Sequence, residues 1–357
     1  TGGNVTVTGR HVGLFGGQIN ASGDAGGGTV LVGGNFHGAG PEQNASAIYV
    51  GKDASINADA ITRGNGGNVA LWSENVTRVY GSVSARGGAQ AGDGGFVETS
   101  SHNQLDVTGL RLDLTAAKGR GGTWLIDPLN VTISNAVTSN DSFAAGTFTP
   151  TATGATIAAA DINTQLNAGA SVTITTDSGG ATTEAGDITQ TAAGTISKTA
   201  GTDATLTMKA AGTITLNGGI SSNAGKLNVS LQANDNSGTQ NDQNTATGDV
   251  AIASAIGTNG GTFSSSGVGF NNTGGAITPL VGALTVKHTG AITVGAAVNT
   301  TPSAANTVGG SVFLKTTSGG ITTSGSGTIT TTGSVSDGSG GTAGAGGEVL
   351  LYAVAGD

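Results

Sequence analysis

The sequence predicts an all-β fold: a parallel β-helix (solenoid) with loop excursions and one short helix. Three observations carry that reading. First, a Gly-Gly pair opens again and again into a β-type run, as in Gly2-Gly3-Asn4-Val5-Thr6-Val7, Gly27-Gly28-Thr29-Val30-Leu31-Val32, Gly66-Gly67-Asn68-Val69-Ala70-Leu71 and Gly309-Gly310-Ser311-Val312-Phe313-Leu314. Second, the runs alternate with period 2 and present no helical face. Third, 66 of 357 residues are glycine without a collagen period, while only 10% are charged and 4% aromatic. A core one coil wide, built from Val, Ile, Leu, Ala and Thr, suits that composition better than a globular interior.

Taken in order, residues 1–133 form a Gly-rich β-helical segment. Val5/Val7, Val12/Leu14, Ile19 and Val30/Val32 supply the first inward positions. Asn35–Ala47, with Pro41 and a polar run, breaks the rhythm as a loop leaving the coil, either solvated or ligand-binding. In the block from Gly66 to Ile133, alternation turns Val69/Leu71, Val79/Val83 and Leu105/Val107 inward and Trp72, Arg78, Tyr80, Ser82 and Asp106 outward. Residues 134–170 are an excursion ending in a helix near Ala158–Asn167, where Ala158, Ile162, Gln165 and Leu166 share a face ahead of Gly169. Residues 171–357 return to Thr/Gly-rich coils, interrupted by the polar run Asn234–Gly248. At roughly 20–25 residues per three-stranded coil, about 14–18 coils are expected.

The stretches GGNVALWS, SARGGAQAGDGGFVETS and GRGGTWLIDPLNVTI, with the preceding GGTVLVGGNFHGAGPEQNASAIYVGKDASINADAITRGNGG, resemble the filamentous-haemagglutinin-type exoproteins of the two-partner secretion pathway. The match covers Gly27 to Ile133, and a more diffuse similarity runs through the remainder. The resemblance implies a right-handed β-helix from a secreted adhesin of the bacterial outer surface, exported through an outer-membrane secretion partner. It implies attachment to host-cell or matrix glycans and proteins, or to biofilm matrix. Two other roles fit the same fold: a passive stalk that presents a distal receptor-binding or toxin domain, and a β-helical polysaccharide-degrading enzyme.

Composition narrows the chemistry. There is no cysteine, which removes disulfides, thiolate metal sites and a cysteine nucleophile. The net charge is −9, with 8 Lys+Arg against 10 Asp+Glu up to Asn130 and 5 against 12 beyond it, so no nucleic-acid surface is expected. No apolar window is long enough for a membrane-spanning helix. His11, His37, His102 and His288 lie at no metal-ligand spacing, and Asp177, Glu184 and Asp187 fall in a Ser/Thr/Gly turn. The Gly/Asp turns at 23–28, 63–67 and 92–95 are neither tandem nor nonapeptide, so glycine corners are expected there and not calcium sites. No catalytic residue, cofactor or metal is therefore expected. The candidate contact set is Trp72, Arg78 and Tyr80, whose rings could stack on a sugar if they face outward; a tryptophan that seals a coil corner is the competing role.

Overall fold

The Gly-Gly pairs dictate the architecture, and their role is spatial. In the computed structural model, which describes residues 1–101, 104–128, 130–135, 141–144, 147–150, 155–176, 186–235, 248–336 and 342–353, successive pairs stand directly above one another. A Cβ on Gly28 would lie 2.0 Å from the Gly3 carbonyl oxygen, one on Gly67 2.0 Å from that of Gly28, one on Gly95 2.1 Å from that of Gly67, and one on Gly122 2.2 Å from that of Gly95. The first glycine of each pair is equally confined: a Cβ on Gly66 would meet the Ala85 carbonyl oxygen at 2.1 Å. The close approach lets each corner bond to its neighbours, with Gly67 N donating to Ala58 O and Phe96 N donating to Gly67 O. Any side chain there would force the coils apart.

The residues divide into two compact units, Thr1–Gly186 and from Asp187 onward. The excursion, the helix and strand Ser171–Thr175 belong to the first unit, so the units do not divide at 133 or 170. The reason is pairing, since Ser171–Ile174 lies in register on Thr123–Ile126.

In the first unit three parallel ladders form the sides of the coil. One stacks Asn4–Val7, Thr29–Val32, the start of Asn68–Val79, Phe96–Ser101, Thr123–Pro128 and Ser171–Thr175. A second stacks His11–Leu14, Ala45–Val50, the end of Asn68–Val79 and Gln104–Asp106. The third stacks Gln18–Asn20, Ser55–Asn57, Ser82–Ser84 and Arg111–Asp113. The inward set is as alternation predicts: Val69, Leu71, Val79, Val83, Leu105 and Val107 are buried. Each such aliphatic side chain contributes about 1.5–3 kcal/mol on leaving water.

The excursion changes the order of the stack. After Val131–Ser134 comes an antiparallel hairpin, Asp141–Ala144 with Thr147–Pro150. The chain then returns as Ala155–Ala158, which pairs with Val131–Ser134 on one edge and through Asp106↔Thr156 on the other. This strand is slotted between two rungs already laid down. Helix α1, Ala159–Asn167, follows within a residue of the predicted start. It buries Ala159, Ile162, Gln165 and Leu166, and Gln165 Nε2 donates to Leu112 O at 2.9 Å, so the helix covers the third side where a strand would otherwise continue.

In the second unit the sides are again three parallel ladders, beginning at Ala204–Lys209, Ile188–Gln190 and Ile196–Lys198. Identical residue types stack: Ile196, Ile220, Ile256 and Ile277 form one buried column. Gly261, Gly282, Gly310 and Gly347 repeat the glycine column. Buried polar side chains at the strand ends satisfy the turns, as where Asn272 Nδ2 donates to Gly275 O and Ala296 O, both at 3.1 Å. Among the described residues each unit carries six strands in its first ladder, fewer coils than the expected 14–18, because excursions lengthen coils beyond 20–25 residues: Thr29 and its partner Asn68 are one coil apart. Among the described residues α1 is the only α-helix, and no helix is long and apolar enough to cross a membrane.

Two ionisable groups, buried His288 and half-buried Asp161, contribute to stability with opposite responses to acid. His288 is 2% exposed, with Nε2 2.9 Å from Ser265 Oγ and its ring against Phe270; burial pushes its pKa down to about 4. The unfolded chain therefore takes up the proton first. Stability of the second unit should fall as pH drops from about 6.5 toward 4, by on the order of 3 kcal/mol. Asp161, in the first turn of α1, is pushed up to about 6, by burial first and also by the charge of Asp106. Its contribution has the other sign, present at low pH and lost as pH rises through about 6. Melting curves at about pH 7 and pH 4.5 check this, with His288→Gln expected to lose less stability on acidification than the parent.

Candidate functional site

The three aromatic and cationic residues singled out by sequence do not share a surface. Trp72 is 3% exposed and Arg78 is 1% exposed, so the outward, accessible reading fails for both. What covers Trp72 is the excursion after Val32, which neither projects into solvent nor stays open; Arg78 lies instead in the second ladder, paired between Tyr49 and Asp106. The excursion's turn Phe36–Gly38 folds back over the outer face of the first ladder. His37 N donates to the buried Glu98 Oε1 at 2.9 Å, Asn44 Nδ2 donates to Glu74 Oε1 at 3.2 Å, and the Phe36 and Phe96 rings lie 5.6 Å apart. Gly38, at φ 63°, rests on the indole, where a Cβ would come 2.3 Å from Trp72 Cζ2. Trp72 thus seals a corner beneath a loop. Asp106, also expected outward, is 4% exposed because Tyr80 Oη donates to its Oδ2 at 2.7 Å and Thr108 N to its Oδ1 at 2.9 Å.

Tyr80 remains at the surface, and two residues missed by sequence reasoning join it. Phe15, Tyr49 and Tyr80 come from three successive coils, each at or just beyond the second ladder. The Phe15 and Tyr49 rings are 5.4 Å apart and tilted by 35°, and Tyr49 and Tyr80 are 5.7 Å apart and nearly edge-on at 75°. Ring spacings this close to the strand spacing of about 4.8 Å show one ring per coil. Phe15 is 63% exposed. The rings border an open cleft of about 380 Å³, completed by Gly51, Lys52, Asp53, Thr108, Gly109 and Arg111. Arg111 reaches across it, with one Nη donating to Lys52 O at 2.6 Å and the other to Tyr80 O at 3.5 Å. A local sequence signal existed in the glycines beside the rings. A Cβ on Gly13 would meet Phe15 Cε2 at 2.7 Å and one on Gly51 would lie 3.2 Å from Tyr49 Cε1.

A second groove, about 540 Å³, runs past Asn20, Asn57, Asp59, Ile61, Arg86 and Thr115. Its charges are spent on one another. Asp59 Oδ2 accepts from Arg86 Nη2 at 2.8 Å and from Ser84 Oγ at 3.0 Å, and its Oδ1 accepts from Arg86 N at 2.8 Å. The hydrogen bonding of the Arg86 guanidinium to Asp59 raises the Arg86 pKa further. Because Asp59 and Arg86 belong to adjacent coils, the groove is a clamp between rungs.

The Gly/Asp turns are likewise occupied by their neighbours: Asp93 Oδ2 accepts from Arg120 Nη2 at 3.0 Å, and Thr62 Oγ1 donates to Asp24. Hydrogen bonds from Arg120 lower the Asp93 pKa. Asp187 accepts from Thr213 N at 2.7 Å, while Asp177, Glu184 and His102 lie outside the described residues. Among the described residues no group of three or more His, Cys, Asp or Glu is placed to hold a metal ion. Comparison with protein-family models and with curated proteins found nothing that matches this chain.

Proposed function

We propose that this chain is part of the shaft of a secreted bacterial surface adhesin, of the kind the filamentous-haemagglutinin resemblance implies, and that it works by attachment without catalysis. The observation that carries the reading is the run of Phe15, Tyr49 and Tyr80 on successive coils of a stacked β-scaffold, with Phe15 exposed and the two tyrosines half-buried. A parallel ladder is a stiff support, and regularly spaced rings on its outside offer apolar faces to a repeating ligand. The partners in this reading are host-cell or matrix glycans and proteins, with an outer-membrane secretion partner for export to the bacterial surface.

The test is attachment beside turnover. Chain immobilised on beads should retain polysaccharide or cells, and Phe15→Ala together with Tyr49→Ala should cut retention about tenfold without lowering the melting temperature by more than a few degrees. A reducing-end assay on the same polysaccharides should stay flat. Sustained release of reducing ends would replace the adhesin by a polysaccharide-degrading enzyme, and no retention by the parent chain would leave a passive stalk.

A further inference from the structure

We infer that the aromatic cleft takes an acidic glycan, a linear chain of pyranose rings bearing carboxylates, with a sugar stacked on Phe15 and Tyr49 and a carboxylate received at Arg111. This rests on the adhesin reading and names the ligand class of the same site. Three features of the cleft lead there. The rings repeat one per coil, with neighbouring centroids 5.4 and 5.7 Å apart, so they offer a succession of faces, which suits a polymer of six-membered rings better than a compact ligand. The lining combines three aromatic rings with hydrogen-bonding side chains, as a sugar demands: C–H faces for the rings, hydroxyls for Lys52, Asp53 and Thr108.

The third feature is charge. The chain as a whole carries −9, yet Lys52 and Arg111 stand at this rim against Asp53 alone, because Asp106 beneath is already engaged by Tyr80 Oη and Thr108 N. Arg111 spends only one N–H on the Lys52 carbonyl and another, more weakly, on that of Tyr80. The carbonyls fix the guanidinium plane at the mouth of the cleft, and the fork matches a carboxylate. The Asp59–Arg86 groove lacks this property, since its guanidinium is already paired with a carboxylate.

Titration calorimetry on the whole chain with oligogalacturonate and with its methyl ester isolates the carboxylate, because the two ligands share every ring. The parent should bind the acid about tenfold more tightly than the ester, with the advantage shrinking as salt rises. Arg111→Gln should erase that preference and leave ester binding in place; Phe15→Ala should weaken both ligands alike. Lys52→Gln, which keeps the backbone carbonyl, serves as a second charge variant should Arg111→Gln lower the melting temperature. Equal affinity for acid and ester, or a preference that survives both charge variants, overturns the acidic assignment while the adhesin reading stands. Binding of neither ligand, with retention of cells or other polysaccharides intact, overturns the assignment too; loss of all retention sinks the adhesin reading itself.

Discussion

Gly95→Ala should cost the first unit stability at or above the upper end of the about 1–3 kcal/mol typical of overpacking, although it adds one methyl group. The Cβ would sit 2.1 Å from the Gly67 carbonyl oxygen and 2.8 Å from the Ala85 Cβ. Both contacts involve atoms already locked in the corner, where Gly95 N donates to Ala85 O and Thr123 N donates to Gly95 O. Relief requires two rungs to separate, which breaks ladder bonds on either side. Gly3 provides the control, because nothing lies within 4 Å of the position its Cβ would take. Gly3→Ala should be tolerated within about 0.5 kcal/mol. Chemical denaturation of the two variants checks it, and equal losses would show that stacking is not what these glycines serve.

Trp124→Ala should be the most costly truncation, about 3–5 kcal/mol. The indole is 1% exposed, stacks between Val97 and Val172 on neighbouring rungs, and donates from Nε1 to Thr99 Oγ1 at 3.1 Å. Its loss opens a cavity against two coils at once, and each coil depends on its neighbours for burial. Phe15→Ala, at a ring 63% exposed, should change stability by no more than about 1 kcal/mol. If both variants unfold at the same denaturant concentration, the division between inner and outer faces is wrong, and the aromatic cleft loses its standing as a free surface.

What could be read from the sequence was whatever depends on nearest neighbours along the chain. Alternation placed Val69, Leu71, Val79 and Leu105 inward because a strand's two faces are fixed by parity. The i, i+4 and i+7 spacing found α1 for the equivalent helical reason. Parity did not say what lies on top. Trp72 was turned outward, but residues 33–44 fold back over it, a contact between positions some thirty apart that alternation does not encode. The aromatic cleft was missed for a related reason. Phe15, Tyr49 and Tyr80 come together only once coil lengths are known, and the excursions make those lengths unequal. Of the three rings, alternation along the local run marks only Tyr80.

The returning strand Ala155–Ala158 bears on how the molecule reaches its folded state. Up to Asp106 each rung rests on chain that has already emerged, so the stack can grow from its amino-terminal end one coil at a time. Val131–Ser134 finds its partner in a segment that follows it by more than twenty residues. The loop between them must close, at an entropic cost that rises slowly with its length, before this rung can settle. Growth that was progressive becomes conditional here: until residues 155–158 arrive, the edge of Gln104–Asp106 stays unpaired and open to the wrong partner. Assembly of the first unit is therefore expected to include a waiting step at this rung, set by the chain's connectivity.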